Sequence, residues 1–213
     1  MRQKYAETFI FEGNRNRNQI ALTFDDAPDS LYTPQILDIL KQYGVKATFF
    51  IVGYRAEEHP DVVRRIVREG HAIGNHSFSH AQLNKLSTSD FIRELERTER
   101  ILANLAGYAP KMVRPPYGAI RDDQLAWLAE NRYLTVNWNV DPEDWKGLSK
   151  TAITNHVLSA AKAGSIILMH SGTGQGGDLS GGVAALPDII EKLTGKGYEL
   201  VPLTELLDVP ASR

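Results

Sequence analysis

The 213-residue chain contains no cysteine. Disulfides and thiolate metal ligands are therefore excluded, and a metal site here must be built from His, Asp or Glu. Long apolar runs are also missing: none approaches the roughly 20 residues that a membrane span needs. No charge of one sign dominates either. Twenty-four Lys and Arg against 26 Asp and Glu leave a formal charge of -2, which argues against a nucleic-acid partner with its usual basic demand. Residues 1–18 are polar and lack the apolar core of a signal peptide. Two settings stay open on this reading: a cytoplasmic protein, or an extracellular or cell-envelope protein whose signal segment is absent from this chain.

What is present is an alternation of short apolar runs and helical periodicities. Strands are expected at 19–24, 47–52, 71–75, 111–114, 134–140, 165–170 and 198–201. Helices are expected at 34–43, 60–69, 87–106, 122–131, 150–163, 186–194 and 203–207, several ended by glycine. Such alternation predicts an α/β fold with a parallel sheet covered by helices, either a barrel or a doubly wound sheet. No repeat or linker divides the chain. One domain is expected over 17–207, with an N-terminal extension at 1–16 and a tail at 208–213, the first residues and 210–213 fraying.

The reactive side chains fall after strands. Asp25 and Asp26 follow the first, His76 and His80 the third, Arg114 and Tyr117 the fourth, Asp144 and Trp145 the fifth, and His170 ends the sixth. The carboxyl ends of strands are where α/β folds place their sites. An isolated Asp-Asp more often caps a turn or a helix. At the end of a strand, where the chain turns, two adjacent carboxylates can both reach one site. His76 and His80 are four apart, a spacing that puts both on one side of a helical turn. With one carboxylate they make a two-His, one-Asp set that leaves positions open for water and substrate. His170 is a candidate general acid, Asp144 either its orienting partner or a turn residue, and Arg114 a candidate partner for a carboxylate. Trp145 offers a face for a sugar ring. His59, His71 and His156 have no comparable setting. Gly172 to Gly177 match a dinucleotide-loop pattern, but no helix opens directly after it, so it reads as the rim of a site.

Five ordered segments, Thr-Phe-Asp-Asp-Ala-Pro (23–28), His-Ser-Phe-Ser-His (76–80), Arg-Pro-Pro-Tyr-Gly (114–118), Asp-Pro-Glu-Asp-Trp (141–145) and Leu-Met-His (168–170), together resemble the polysaccharide deacetylases, the NodB-homology family of carbohydrate esterases. The similarity spans about residues 17–207, and Ala27 stands where the family usually has Gly. The resemblance implies a distorted (β/α) barrel of about seven strands. It also implies hydrolysis of N-acetyl groups on N-acetylglucosamine glycans such as peptidoglycan or chitin oligomers, with O-acetyl xylan or an inactive carbohydrate-binding homologue as alternatives. Asp26, His76 and His80 would hold a divalent metal, zinc first, with cobalt or nickel as substitutes. Asp25 would be the general base and His170 the acid that protonates the leaving amine. Arg114 would orient Asp25, and Asp144 would hold the Arg114 or His170 side. The backbone N–H of Tyr117 would bind the oxyanion, and Pro116, Leu168 and Trp145 would shape the substrate pocket. The implied partner is an acetylated glycan, met by a monomer.

Overall fold

A computed structural model describes residues 4–213. In chain order the elements are β1 (Phe9–Ile10), β2 (Gln19–Ala27), α1 (Tyr32–Tyr43), β3 (Thr48–Ile51), α2 (Gly53–Glu58), α3 (Pro60–Arg68), β4 (Ala72–Asn75), α4 (Thr88–Ala106), β5 (Met112–Val113), α5 (Asp122–Glu130), β6 (Leu134–Val136), α6 (Lys150–Ala160), β7 (Ile166–His170), α7 (Ser180–Gly195), β8 (Glu199–Leu200) and α8 (Leu203–Leu206).

Every ladder is parallel, in the order β1-β6-β5-β4-β3-β2-β7, and β8 pairs with the start of β2. A single parallel bridge between Val140 and Ile167 brings the chain beyond β6 back against β7. This contact rolls the sheet into the irregular barrel that the family resemblance implied, and decides between the two architectures that the strand–helix alternation left open. Alternate side chains of each strand serve its two faces. Ile20, Leu22 and Phe24 pack outward with the inner faces of α1, α3, α6 and α7 in one buried cluster. Ala21 joins Phe50, Met112, Val136 and Ile166 in a second cluster, with Leu203 and Leu206 of α8. Each fully buried Leu, Ile or Phe contributes about 1.5–3 kcal/mol by leaving water. Thr23 and Asp25 continue the Ala21 row, so the same alternation that fills one face with Phe24 sends a carboxylate to the other.

The structure departs from the sequence reading in several places. β1, within the segment read as an extension, pairs with β6 through Phe9–Thr135 and Ile10–Val136; two residues are too few to show a period. Beyond Val136 the fifth strand leaves its ladder and reappears as the Val140 bridge. α2 is too short for an apolar stripe. α7 begins at Ser180, not at 186, and carries Pro187 inside it. The last residues do not fray: Lys111 N donates to Ala211 O, and the Arg213 guanidinium bonds Glu99 at 2.6 Å.

Candidate active site

Asp25 and Asp26 reach one site because β2 is bulged there, not because it has ended. Phe24 pairs with Phe49 and Ala27 with Ile51, so one extra residue is accommodated between them. Asp26 takes it up with a left-handed backbone, φ 62°. Ala27, in contrast, is not among the residues with positive φ and is fully buried, so the methyl in place of hydrogen carries no backbone strain.

Arg114 follows β5 and is completely buried. Its Nη1 donates to Asp25 Oδ1 at 2.7 Å and to Thr23 Oγ1 at 2.8 Å. Nε and Nη2 donate to the carbonyls of Val136 and Asn137, and the guanidinium lies over the Phe50 ring, 4.1 Å from its centre. A buried cation with no carboxylate would be costly, and a buried carboxylate likewise; each satisfies the other. Burial pushes the Asp25 carboxyl up, but the charges of Arg114 and the nearby imidazoles outweigh it and hold Asp25 below its usual range.

Opposite Asp25 in the β2–β7 register stands His170. Asp144 holds it twice: Oδ1 accepts from the ring Nδ1 at 2.7 Å and Oδ2 from the backbone N at 2.8 Å. Gly182 of α7 makes room for this carboxylate, since a Cβ there would lie 3.2 Å from Asp144 Oδ2. Burial pulls the His170 imidazole down, yet the Asp144 hydrogen bond and the charges of Asp144, Asp25 and Asp26 raise it to about 9. Of the two sides left open at the outset, Asp144 therefore serves His170, not Arg114.

His76 and His80 converge with Asp26. They do so from a loop, not the helical turn that their spacing suggested: Ser77 and His80 have φ 65° and 58°, and the rings sit 5.1 Å apart. His76 Nδ1–H donates to the Arg114 carbonyl at 2.7 Å, which can only accept, so in the neutral ring Nε2 is the nitrogen whose lone pair faces the site. Burial holds the His80 ring below its ordinary value and thus neutral. One ligand atom from each of Asp26, His76 and His80 lies within 4.8 Å of the others. Asp26 Oδ1 is 3.1 Å from His80 Nε2 and 3.6 Å from His76 Nε2, yet it is buried without a hydrogen-bond partner. Two imidazole nitrogens facing an orphaned carboxylate oxygen fit a divalent cation, two imidazoles and one carboxylate being a common donor set for one.

These groups line a cavity of about 370 Å³ with Tyr117, Trp138, Asp141, Trp145, Leu168, Gly172 and Thr173. Tyr117 and Trp145 stand at its mouth, 63% and 52% exposed. A larger cleft of about 730 Å³ shares Trp138 and Asp141 with it, but is lined otherwise by groups such as Phe9, Phe11, Arg15 and Lys162. It gathers no comparable set of imidazoles and carboxylates, so the chemistry lies in the smaller one. Five of the seven non-glycine residues with positive φ among the described residues, Asp26, Ser77, His80, Tyr117 and Glu143, belong to this site or its loops. Such strain, on the order of 1–3 kcal/mol each, is characteristic of functional sites.

A family model described as polysaccharide deacetylase matches residues 12–136. A peptidoglycan-N-acetylglucosamine deacetylase of Bacillus cereus is 48% identical over 211 residues, covering 99% of this chain and 75% of that protein. The chain belongs to the polysaccharide deacetylase family.

Among solved structures, a peptidoglycan N-acetylglucosamine deacetylase in complex with 4-naphthalen-1-yl-N-oxidanyl-benzamide superposes with a TM-score of 0.96 at 48% identity, covering 99% of this chain and 97% of that one. A pseudoenzyme of the same family from Bacillus anthracis superposes at 0.87 with 32% identity, covering 93% and 68%. The deacetylase fold alone therefore does not make an enzyme, and the case for this polysaccharide deacetylase rests on its side chains. All five segments meet at the cavity. Within them Arg114 and Asp144 lie behind it, each gripping a cavity residue, while Pro116 is buried and does not line it. The sequence reading did not single out Trp138, Thr23 or Phe50, and it gave Asp141 no role. Thr23 and Asp141 fall inside motifs already quoted, Phe50 is concealed within an apolar strand, and Trp138 stands between two asparagines outside the five segments.

Proposed function

We propose that this chain hydrolyses the N-acetyl group of N-acetylglucosamine residues in glycans of the peptidoglycan or chitin type, releasing acetate. The observation that carries the reading is the orphaned Asp26 oxygen facing two imidazole lone pairs, with Asp25 and His170 beside it. Asp26, His76 and His80 would hold a divalent cation, zinc by the chemistry of the donors. When bound, that cation supplies Lewis acidity for polarising an acyl carbonyl and acidifying water.

The remaining roles belong to the chain. Asp25, kept ionised by Arg114, accepts the proton of the attacking water as general base. His170, kept protonated by Asp144, donates to the departing amine nitrogen, a poor leaving group until it gains that proton. The left-handed turn at Tyr117, φ 61°, is the source of the backbone N–H for the tetrahedral oxyanion. Leu168 offers the acetyl methyl an apolar wall, and Trp145 offers the sugar a stacking face. The protein acts as a monomer.

Acetate release from chito-oligosaccharides and from glycan strands of peptidoglycan, with metal analysis of the same sample, tests this. Stoichiometric metal and acetate release are expected. No acetate from either substrate after loading with zinc or cobalt would overturn the proposal.

A further inference from the structure

The loop from His76 to His80 supplies two of the three candidate ligands, and it is gripped from outside the five motifs. From α4, Glu94 Oε2 accepts from the backbone N–H of Phe78 at 2.9 Å and of Ser79 at 2.8 Å, and Oε1 accepts from Ser79 Oγ at 2.9 Å. From the other side, the first N–H groups of α2 reach the loop carbonyls: Gly53 N donates to Ser77 O at 2.9 Å and Tyr54 N to Phe78 O at 3.0 Å. A helix start leaves such donors unpaired, and here the loop uses them. Gly53 is required for the approach, since a Cβ there would lie 2.7 Å from the Phe78 ring. Asn75 adds a third hold, its Oδ1 accepting from Ser77 N and its Nδ2 donating to Leu95 O.

We infer that Glu94 is a positioning residue for the metal ligands: its carboxylate holds the loop backbone so that His76 and His80 present their nitrogens to Asp26 before a cation arrives. The loop contains two left-handed residues, Ser77 and His80, and needs such external fastening to hold a conformation that a free chain would leave. Groups outside a ligand set that orient it commonly contribute 10–100-fold in metal affinity. The inference rests on the proposed metal site, and its test separates the two.

The experiment measures the apparent Zn²⁺ dissociation constant by competition with a chromogenic chelator, together with the melting temperature of the metal-free protein. Glu94→Ala is expected to weaken zinc binding about 10–100-fold. Glu94→Gln is expected to stay within about threefold of wild type, because an amide oxygen still accepts both N–H bonds. Tyr133→Phe, which loses the distant bond to Glu99, controls for stability loss and should leave zinc affinity unchanged. If Glu94→Ala fails to fold, the shorter Glu94→Asp replaces it, with weakened binding again expected. Unchanged affinity in Glu94→Ala or Glu94→Asp, with only the melting temperature lowered, would overturn the inference. Failure of the wild type itself to bind zinc would instead strike at the metal site.

Discussion

Asp25 and His170 stand directly opposite each other on β2 and β7, and each is held at 2.7 Å by its own partner, Arg114 for one and Asp144 for the other. The two partners have opposite charge, so they drive the pair apart in acidity. Arg114 overcomes burial to hold Asp25 ionised, and Asp144 overcomes burial to raise His170 to about 9. Two titratable groups separated in this way are assigned a base and an acid by their surroundings.

Asp144→Asn tests that assignment. The amide removes the charge that keeps His170 protonated. His170 works here as an acid, so turnover is lost as pH rises through its pKa. A cation at Asp26 lowers that pKa by repulsion, which places the alkaline limb of the wild type below about 9. In Asp144→Asn the limb is expected at lower pH, with kcat down about 100-fold near neutrality. Acetate release measured across pH on both proteins checks it. A limb in the same place would remove His170 from the role of acid.

Replacing the two adjacent aspartates should give different failures, because the bulge turns one toward Arg114 and the other toward the histidines. Asp25→Asn is expected to retain metal and lose activity by about 100-fold or more. Asp26→Asn is expected to lose metal affinity itself, since it exchanges an anionic ligand for a neutral one. Metal content and acetate release on the same samples separate the outcomes.

Much of this site was legible because its side chains sit where apolar strands stop, and a strand of Ile, Leu and Val is easily seen. Asp25, Asp26, His76, His80, Arg114, Asp144 and His170 all follow such runs. The geometry that joins them was not legible. The bulge at Asp25–Asp26 arises from pairing with β3, and the His76–His80 loop takes its shape from Glu94, bonded across 15 and 16 residues, and from the start of α2, bonded across 24. Short sequence windows contain neither partner. α7 was hidden for a related reason. Gly181 and Gly182 weaken the helical signal, yet they are what lets that helix press against Leu148 and Asp144.

Thr23 is the least conspicuous member of the site. Its hydroxyl accepts from Arg114 at 2.8 Å and donates to Ile167 O at 2.7 Å, entirely buried. Thr23→Val preserves shape but removes both bonds, and leaves the carbonyl and the guanidinium each one partner short. A cost of about 1–3 kcal/mol in stability is expected. Because Arg114 orients Asp25, kcat should fall about tenfold, with metal content unchanged. Denaturant unfolding and turnover measured together check this.

Two histidines should make stability fall on both sides of neutrality, by opposite routes. His71 is buried, its Nδ1 accepting from Ala47 N at 3.1 Å, and burial, reinforced by Lys46, lowers it to about 4. The unfolded chain, with an ordinary value of 6.5, therefore takes up a proton before the folded one does. The stability that neutral His71 contributes is complete above pH 6.5 and drains away as pH falls through about 4, by roughly 3 kcal/mol at most. His170 behaves inversely: its raised value gives stability that is complete below 6.5 and is lost as pH rises through about 9. In metal-free protein, His71→Asn, which keeps an acceptor for Ala47 N, should flatten the acid side only. Asp144→Asn should flatten the alkaline side only. Urea unfolding from pH 4 to 9.5 on the three proteins reads both slopes, and an acid slope unchanged in His71→Asn would show that other groups carry it.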